Sequence, residues 1–387
     1  MDASGKGWPG PAVKVGMKRG MTRRPVRIFT PSFADEGNTN AQNLTVKELV
    51  ARLPADKFHI TMICQGTPDP RIASRPNLRL VQWTDRGNTL RLLRQCLFCR
   101  PDIYFFPRCG PLDQAFFDFR KHVYSGTALV SYIVMMMNKA TSNGLIGRSI
   151  LEADLVCANS TYVAETIWKE FGRQSVVMYD GVDKRFFFPR QLRDKPEPLV
   201  VLYAGSFQPR KRVETVIEQA ARWPGVIFRL AGKGETEARC RQMFRDLGCN
   251  NVGFLGHLSS AQLGDEMRKS DVFLFPSMLE GHPQVLIQAA ACGLPSIAMN
   301  IYRPDCVEDG ETGFLVGSDV ELSQRLDLLL ANHELRQRMA EAAVQLARRF
   351  DWDSISAKWA ELFCQIVAAR RGLSSPQCVA EEGAHAQ

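Results

Sequence analysis

Apolar residues come in short runs separated by stretches of helical spacing. In the first half, Val26–Thr30, Phe58–Cys64, Arg79–Trp83, Asp102–Phe106, Ala128–Met137, Ala153–Ala158 and Ser175–Met178 read as strands. Between them, Leu44–Leu53, Thr89–Cys99, Leu112–Arg120 and the stretch from Ser160 or Thr161 to Phe171 place apolar residues three and four apart. The second half repeats the alternation. Strands are expected at Leu199–Tyr203, Val226–Ala231, Val252–Leu255, Asp271–Pro276, Ser296–Met299 and Gly313–Val316, and a long last helix at Trp352–Ala369. Alternating strands and helices predict parallel sheets, since helical crossovers are right-handed. The 387 residues, 45% of them hydrophobic, suit two cores.

The punctuation divides the chain. Residues 1–25 are rich in Gly, Pro, Lys and Arg without periodicity, and are expected to be a disordered arm, as is the tail 371–387. Residues 184–198 are charged and proline-bounded (Pro189, Pro196, Pro198), which predicts a linker between a domain at 26–183 and another at 199–350. Met135–Met137 are read as core filler.

The formal charge of +8 is uneven. Residues 1–27 hold Lys6, Lys14, Lys18, Arg19, Arg23, Arg24 and Arg27 against Asp2 alone, so the remainder is nearly neutral. That balance, without a recognition helix or zinc finger, argues against nucleic acid as a partner. Thr89–Cys99 is amphipathic and basic; it reads either as a solvated helix on the sheet or as a contact with an anionic membrane surface. The eleven scattered cysteines, several in apolar surroundings (Cys64, Cys157, Cys292), fit buried free thiols. Cys96 and Cys99 form one Cys-x-x-Cys without a second pair at zinc spacing, so no metal is expected. The start lacks an apolar signal core, and Ala128–Met137 is about half the ~20 residues of a membrane helix. The expectation is a cytoplasmic protein, at most peripheral at the inner membrane face.

Candidate chemistry sits where strands end and helices begin, the ligand edge of parallel sheets. Ser277–Pro283 carries one acid, Glu280, beside Gly281 in a polar loop before a helix at Gln284–Cys292. Lys211 lies in the loop after Leu199–Tyr203. It reads as a phosphate-binding cation or a solvated helix-start lysine, the latter disfavoured by the helix dipole. Pro283 suits the first helical position. In the first half, Gly37, Asn38, Asn40 and Asn43 follow the first strand; the asparagines read equally as turn and N-cap chemistry or as ligand contacts.

Several motifs occur in order: Tyr203 to Arg212 with Gly205, Ser206, Arg210 and Lys211; Leu230-Ala231-Gly232-Lys233-Gly234; Val252 to Gly256; Pro276 to Pro283; Ala291 to Pro295; Asp180-Gly181-Val182-Asp183; and Trp352. From about Arg27 to Ala369, more densely in the second half, the chain resembles the GT-B retaining glycosyltransferases of family 4. The resemblance implies an α/β fold of two Rossmann-like domains with parallel sheets facing a cleft, the helix 351–370 crossing back to the N-terminal domain. It implies transfer of a sugar from a UDP- or GDP-linked nucleotide-sugar to an acceptor hydroxyl of a glycan, polysaccharide or lipid-linked precursor, with no cofactor. It assigns catalysis to Glu280 and Lys211, and donor binding to Gly205, Ser206, Arg210, Gly232, Gly281, His282, Pro283, Gln284 and Gln288. Gly37, Asn38 and Asn40 fall on the acceptor side.

Three positions depart from the family pattern. The second acid of the Glu pair, eight residues after Glu280, is Gln288. Ser206 stands where an Arg is common, with Arg210 close in sequence. The strand ending Met135-Met136-Met137-Asn138 lacks a following His. Two alternatives follow: a weakly active or inactive sugar-nucleotide-binding partner, and a GT-B sugar-nucleotide epimerase, against which the Glu280 loop and Asp180–Asp183 argue.

Overall fold

The computed structural model describes residues 24–37, 40–83, 88–107, 110–138, 144–189 and 198–372. The chain divides into unit 1, Met1–Met178 with Asp353–Gln387, and unit 2, Tyr179–Trp352.

Unit 1 alternates β1 (Val26–Phe33), α1 (Ala41–Arg52), β2 (Phe58–Cys64), α2 (Pro70–Ala73), β3 (Leu78–Gln82), α3 (Asn88–Cys99), β4 (Ile103–Phe105), α4 (Pro111–Val123), β5 (Ala128–Ile133), α5 (Leu145–Leu151), β6 (Leu155–Ala158), α6 (Thr161–Phe171) and β7 (Val176–Val177). The strands pair in the order β3-β2-β1-β4-β5-β6-β7, every pair parallel. Tyr104 centres the core: its ring stacks on Phe116 at 3.9 Å and its buried hydroxyl donates to Asp113 Oδ1 at 2.7 Å. The helix Trp352–Arg370 adds Trp359, fully buried against Phe105 and Tyr132, and Phe363, set edge-on to Phe58 and Phe105.

Two strand ends differ from the sequence reading, one helix is additional to it, and Asn40 takes the capping role that the sequence allows. β1 runs on to Phe33, because Pro31 falls in a register irregularity between Thr30 and Phe33, where a missing donor costs no ladder bond. β5 stops at Ile133, whose carbonyl is taken by Asn159 N–H; Met135 is 43% exposed and is not core. α5 was not legible, being one short apolar run after Gly144 (φ 66°) with no side-chain cap. Asn40 is the N-cap of α1, its Oδ1 accepting from Asn43 N–H at 2.9 Å, and Asn43 Oδ1 accepts from Phe33 N–H at 3.0 Å.

Unit 2 continues with β8 (Val200–Ala204), α7 (Val213–Arg222), β9 (Ile227–Ala231), α8 (Glu237–Asp246), β10 (Val252–Gly256), α9 (Ser260–Arg268), β11 (Val272–Phe275), α10 (Gln284–Ala291), β12 (Ser296–Met299), β13 (Gly313–Val316), α11 (Asp319–Ala331) and α12 (His333–Ala347). The sheet is parallel, in the order β10-β9-β8-β11-β12-β13. The order reverses between β8 and β11, so the loops leaving those two strands flank the crevice where doubly wound sheets bind ligands.

The ends of unit 2 are fastened together. A Cβ on Gly181 would lie 2.6 Å from the Trp352 ring, so only glycine seats there. Val182 N–H donates to Phe350 O at 2.8 Å, and Lys184 pairs with Asp351 at 2.9 Å. These contacts put the division at Met178/Tyr179 rather than after Asp183. The expected linker is also packed at its start: Phe187 is buried, Arg268 donates to Phe186 O at 2.7 Å, and its guanidinium lies 3.9 Å from the centre of the Phe188 ring. Residues 190–197 lie outside the described residues.

Candidate active site

The loops leaving β8 and β11 meet. Pro209–Lys211 form a single 3-10 turn closed by Arg212 in the left-handed region (φ 52°), so Lys211 precedes α7 rather than opening it. Lys211 is 9% exposed, not solvated. Its Nζ lies 2.5 Å from Glu280 Oε1 and 5.0 Å from the centre of the Phe275 ring. Burial holds its pKa below the usual lysine value, while the Glu280 carboxylate works in the opposite direction. Arg210 Nη1 donates to the same Oε1 at 2.9 Å and to Leu279 O at 2.7 Å. Ser277 Oγ donates to that oxygen as well, at 2.5 Å. Met278 N–H to Arg210 O, 2.9 Å, ties the two loops through backbone. Glu280 thus gathers two cations and a hydroxyl onto one oxygen at the point where strand order reverses.

The glycines are shaped for close approach. Gly232 has φ 141°, and a Cβ there would sit 1.8 Å from Gly205 O. Gly205 N–H donates to Ala231 O at 3.0 Å and Gly232 N–H to Gly256 O at 2.7 Å, stitching the ends of β8, β9 and β10. Ser206 is half-buried; its carbonyl accepts from Tyr203 Oη at 3.1 Å.

α10 begins at Gln284, and Pro283 is its N-cap, one position before the expected first turn; no side chain caps this end. Gly281 is buried. His282 is 4% exposed, its ring between Tyr179 (5.2 Å) and Phe350 (5.1 Å), and neither ring nitrogen has a hydrogen-bond partner among the described residues. Burial lowers its pKa to about 3. What His282 can offer a ligand is its backbone. Gln288 lies one turn after Gln284, its buried Oε1 without a partner among the described residues.

Sequence reasoning missed Ser277, Phe275 and Tyr302. Ser277 stands three residues before Glu280, a spacing that could have flagged it. Tyr302 lies in a single turn after β12; its buried hydroxyl has no partner among the described residues, and burial, then the Glu280 charge, push the phenol's pKa up. Nothing in its surroundings in sequence marks it. Gly37 borders a surface depression of about 450 Å³ with Asp35, Glu36, Gln65, Gly66 and Thr67. Asn38 lies outside the described residues. Among the described residues, no group of three or more His, Cys, Asp or Glu could hold a metal ion, and no helix is long and apolar enough to cross a membrane.

Residues 184–346 match the family model described as glycosyl transferases group 1. The chain is 24% identical over 204 residues to an uncharacterized glycosyltransferase of Methanocaldococcus jannaschii, covering 52% of this chain and 56% of that protein. It is 28% identical over 251 residues to D-inositol 3-phosphate glycosyltransferase of Streptomyces bingchenggensis, covering 58% and 55%. The chain thus spans about half the length of these curated relatives. Among solved structures, Anabaena HepE with UDP and glucose superimposes with TM-score 0.73 at 18% identity, covering 88% of this chain and 99% of that one. Sucrose-phosphate synthase of Thermosynechococcus elongatus gives 0.73 at 19% identity, covering 89% and 100%. The fold is GT-B: two parallel-sheet α/β units.

Proposed function

Since residues 184–346 match the family model described as glycosyl transferases group 1, we propose that the chain transfers a sugar from a nucleotide-sugar to an acceptor hydroxyl, with retention of anomeric configuration. The observation that carries this reading is the convergence of Lys211, Arg210 and Glu280 at the reversal point of the unit 2 sheet. The donor is UDP- or GDP-linked; the structure of HepE solved with UDP-glucose supports that class.

In this reading Lys211, Arg210 and the N-terminus of α10, from Gly281 to Gln284, neutralise the diphosphate as it leaves. Gly205 and Gly232 let phosphates approach the backbone. Glu280 holds hydroxyls of the donor sugar, and Gln288 the ribose. The sugar–phosphate bond breaks as the sugar–acceptor bond forms on the same face, and the departing phosphate oxygen takes the acceptor's proton. No protein base is then required. The acceptor is a glycan, a polysaccharide or a lipid-linked precursor, met on the cytoplasmic side.

Thermal unfolding of the full chain with UDP-, GDP- and dTDP-sugars tests this. A donor at a hundred times its Kd adds about 2.7 kcal/mol of stability, a clear midpoint shift. No shift with any of them would overturn the donor reading. The second reading, a sugar-nucleotide-binding partner with little activity of its own, is favoured by the neutral Gln288. Donor binding without hydrolysis or transfer by the purified chain would select it.

A further inference from the structure

We infer that the outer face of α3 and α4 in unit 1 docks on the surface of an anionic lipid bilayer. The large apolar side chains that are exposed in unit 1 fall between Leu90 and Leu151 among the described residues, on α3, α4, α5 and the loop after β5. The α1 side of the sheet carries none among the described residues. On α3 the outer face departs from that of a solvated surface helix by carrying large apolar side chains. Leu92 and Cys96 face inward and are fully buried. Leu90, Arg94 and Phe98 follow one turn apart on the opposite face, with Leu90 68% and Phe98 76% exposed. On α4, Phe119 and Val123, again one turn apart, are 53% and 48% exposed. The two helices pack side by side, Tyr124 Oη donating to Leu93 O at 3.1 Å.

Charge selects the occupant. α3 contains no acid. Arg94, Arg100 and Lys121 are exposed and stand in no ion pair among the described residues. Arg79 adds a guanidinium 5.1 Å from the centre of the Phe98 ring. The acids of α4 are spoken for: Asp113 is buried under Tyr104, and Asp118 pairs with Arg148 at 2.7 Å. Single large apolar residues set between unpaired cations are the makeup of an interfacial surface, which buries its apolar side chains at the headgroup boundary while arginines and lysines meet lipid phosphates. The inference rests on unit 1 and is independent of the donor site.

The test is flotation of the full chain with vesicles of phosphatidylcholine mixed with phosphatidylglycerol, against phosphatidylcholine alone. The expected result is binding to the anionic vesicles, weakened by salt and about tenfold weaker on the neutral ones. Leu90→Gln with Phe98→Gln, and separately Arg94→Glu, each lower binding about tenfold, with thermal midpoint and donor-induced shift unchanged. Absence of vesicle binding overturns the inference. So does binding that survives both variants, which would place the contact elsewhere, for instance in the basic residues 1–23. So does a change in sedimentation showing that the variants dissolve a dimer instead.

Discussion

Glu280 Oε1 accepts from Lys211, Arg210 and Ser277, and that crowding revises what a substitution there will do. A place in a polar loop would by itself predict an effect on chemistry with little effect on folding. The structure makes it the counter-charge of a buried lysine, so Glu280→Gln leaves Lys211 uncompensated. The expected outcome is a fall in turnover of about a hundredfold together with a loss of about 1–3 kcal/mol in unfolding free energy. Unchanged turnover would remove Glu280 from the reaction. Gln288 offers the complementary test. A carboxylate there would add charge assistance to a ribose hydrogen bond, so Gln288→Glu is expected to tighten donor binding several-fold, about 1 kcal/mol. Calorimetry that finds the Kd unmoved would show that Gln288 does not face the ribose.

His282 ties stability to pH. Its pKa is 6.5 ordinarily and about 3 when buried. Above about 6.5 it is neutral folded and unfolded, and contributes no pH dependence. As pH falls from there towards 3, only the unfolded chain takes up the proton, and the folded state loses about 1.4 kcal/mol per pH unit. His282→Phe keeps an aromatic ring between Tyr179 and Phe350 and removes the proton site. Urea unfolding at neutral pH and near pH 5 should show a shallower acid loss in the variant, by about one proton. Equal slopes would mean that the imidazole is not held neutral in the fold.

At the scale of elements, the strand–loop–helix rhythm was legible because buried parallel strands are short apolar runs bounded by turn residues. The same rhythm sets the loops of Lys211 and Glu280 at strand ends, where parallel sheets bind ligands. What escaped has particular causes. Ala128–Met137 is one uninterrupted apolar run, and nothing in hydropathy says that its neighbour β6 stops pairing at Ile133. α5 spans two turns only, too few for periodicity to declare itself. The αL turn at Arg212, which separates Lys211 from α7, depends on contacts made by the β11 loop. Tyr302 follows β12, the direct neighbour of β11, and feels the Glu280 charge from a separate turn, a relation local sequence cannot express. The glycine turn after β9 carries its own prediction. Gly232→Ala places a Cβ 1.8 Å from Gly205 O at φ 141°, so β8 and β9 must part at their ligand end. Unfolding free energy should drop by about 3 kcal/mol or more, with donor response lost. Gly37→Ala is the control, since a Cβ there meets nothing within 4 Å. A Gly232→Ala chain as stable as the wild type would contradict the geometry of this turn.

At the scale of the molecule, unit 2 is one continuous stretch and unit 1 is two. Residues 179–352 have their own sheet and core, and their ends meet where Trp352 covers Gly181. Expressed alone, this stretch should unfold cooperatively and keep its donor-induced thermal shift. Residues 1–178 alone should not fold stably, because the Phe58, Phe105 and Tyr132 faces that Trp359 and Phe363 cover would be bare. Circular dichroism and thermal unfolding of the two fragments decide this; a stable 1–178 fragment would show that the last helix is dispensable to unit 1.

The insertion of unit 2 between the two segments of unit 1 also fixes an order of events during synthesis. The chain leaves unit 2 where it entered, as an inserted loop would. A ribosome therefore finishes all of unit 2 before it supplies Trp359, Phe363 and Arg370, the residues that close unit 1. The half of the protein made first is completed last. Until then its aromatic face waits uncovered, and a chain cut short between Trp352 and Trp359 would carry a finished unit 2 on an unfinished unit 1, a form that quality-control proteases are equipped to remove.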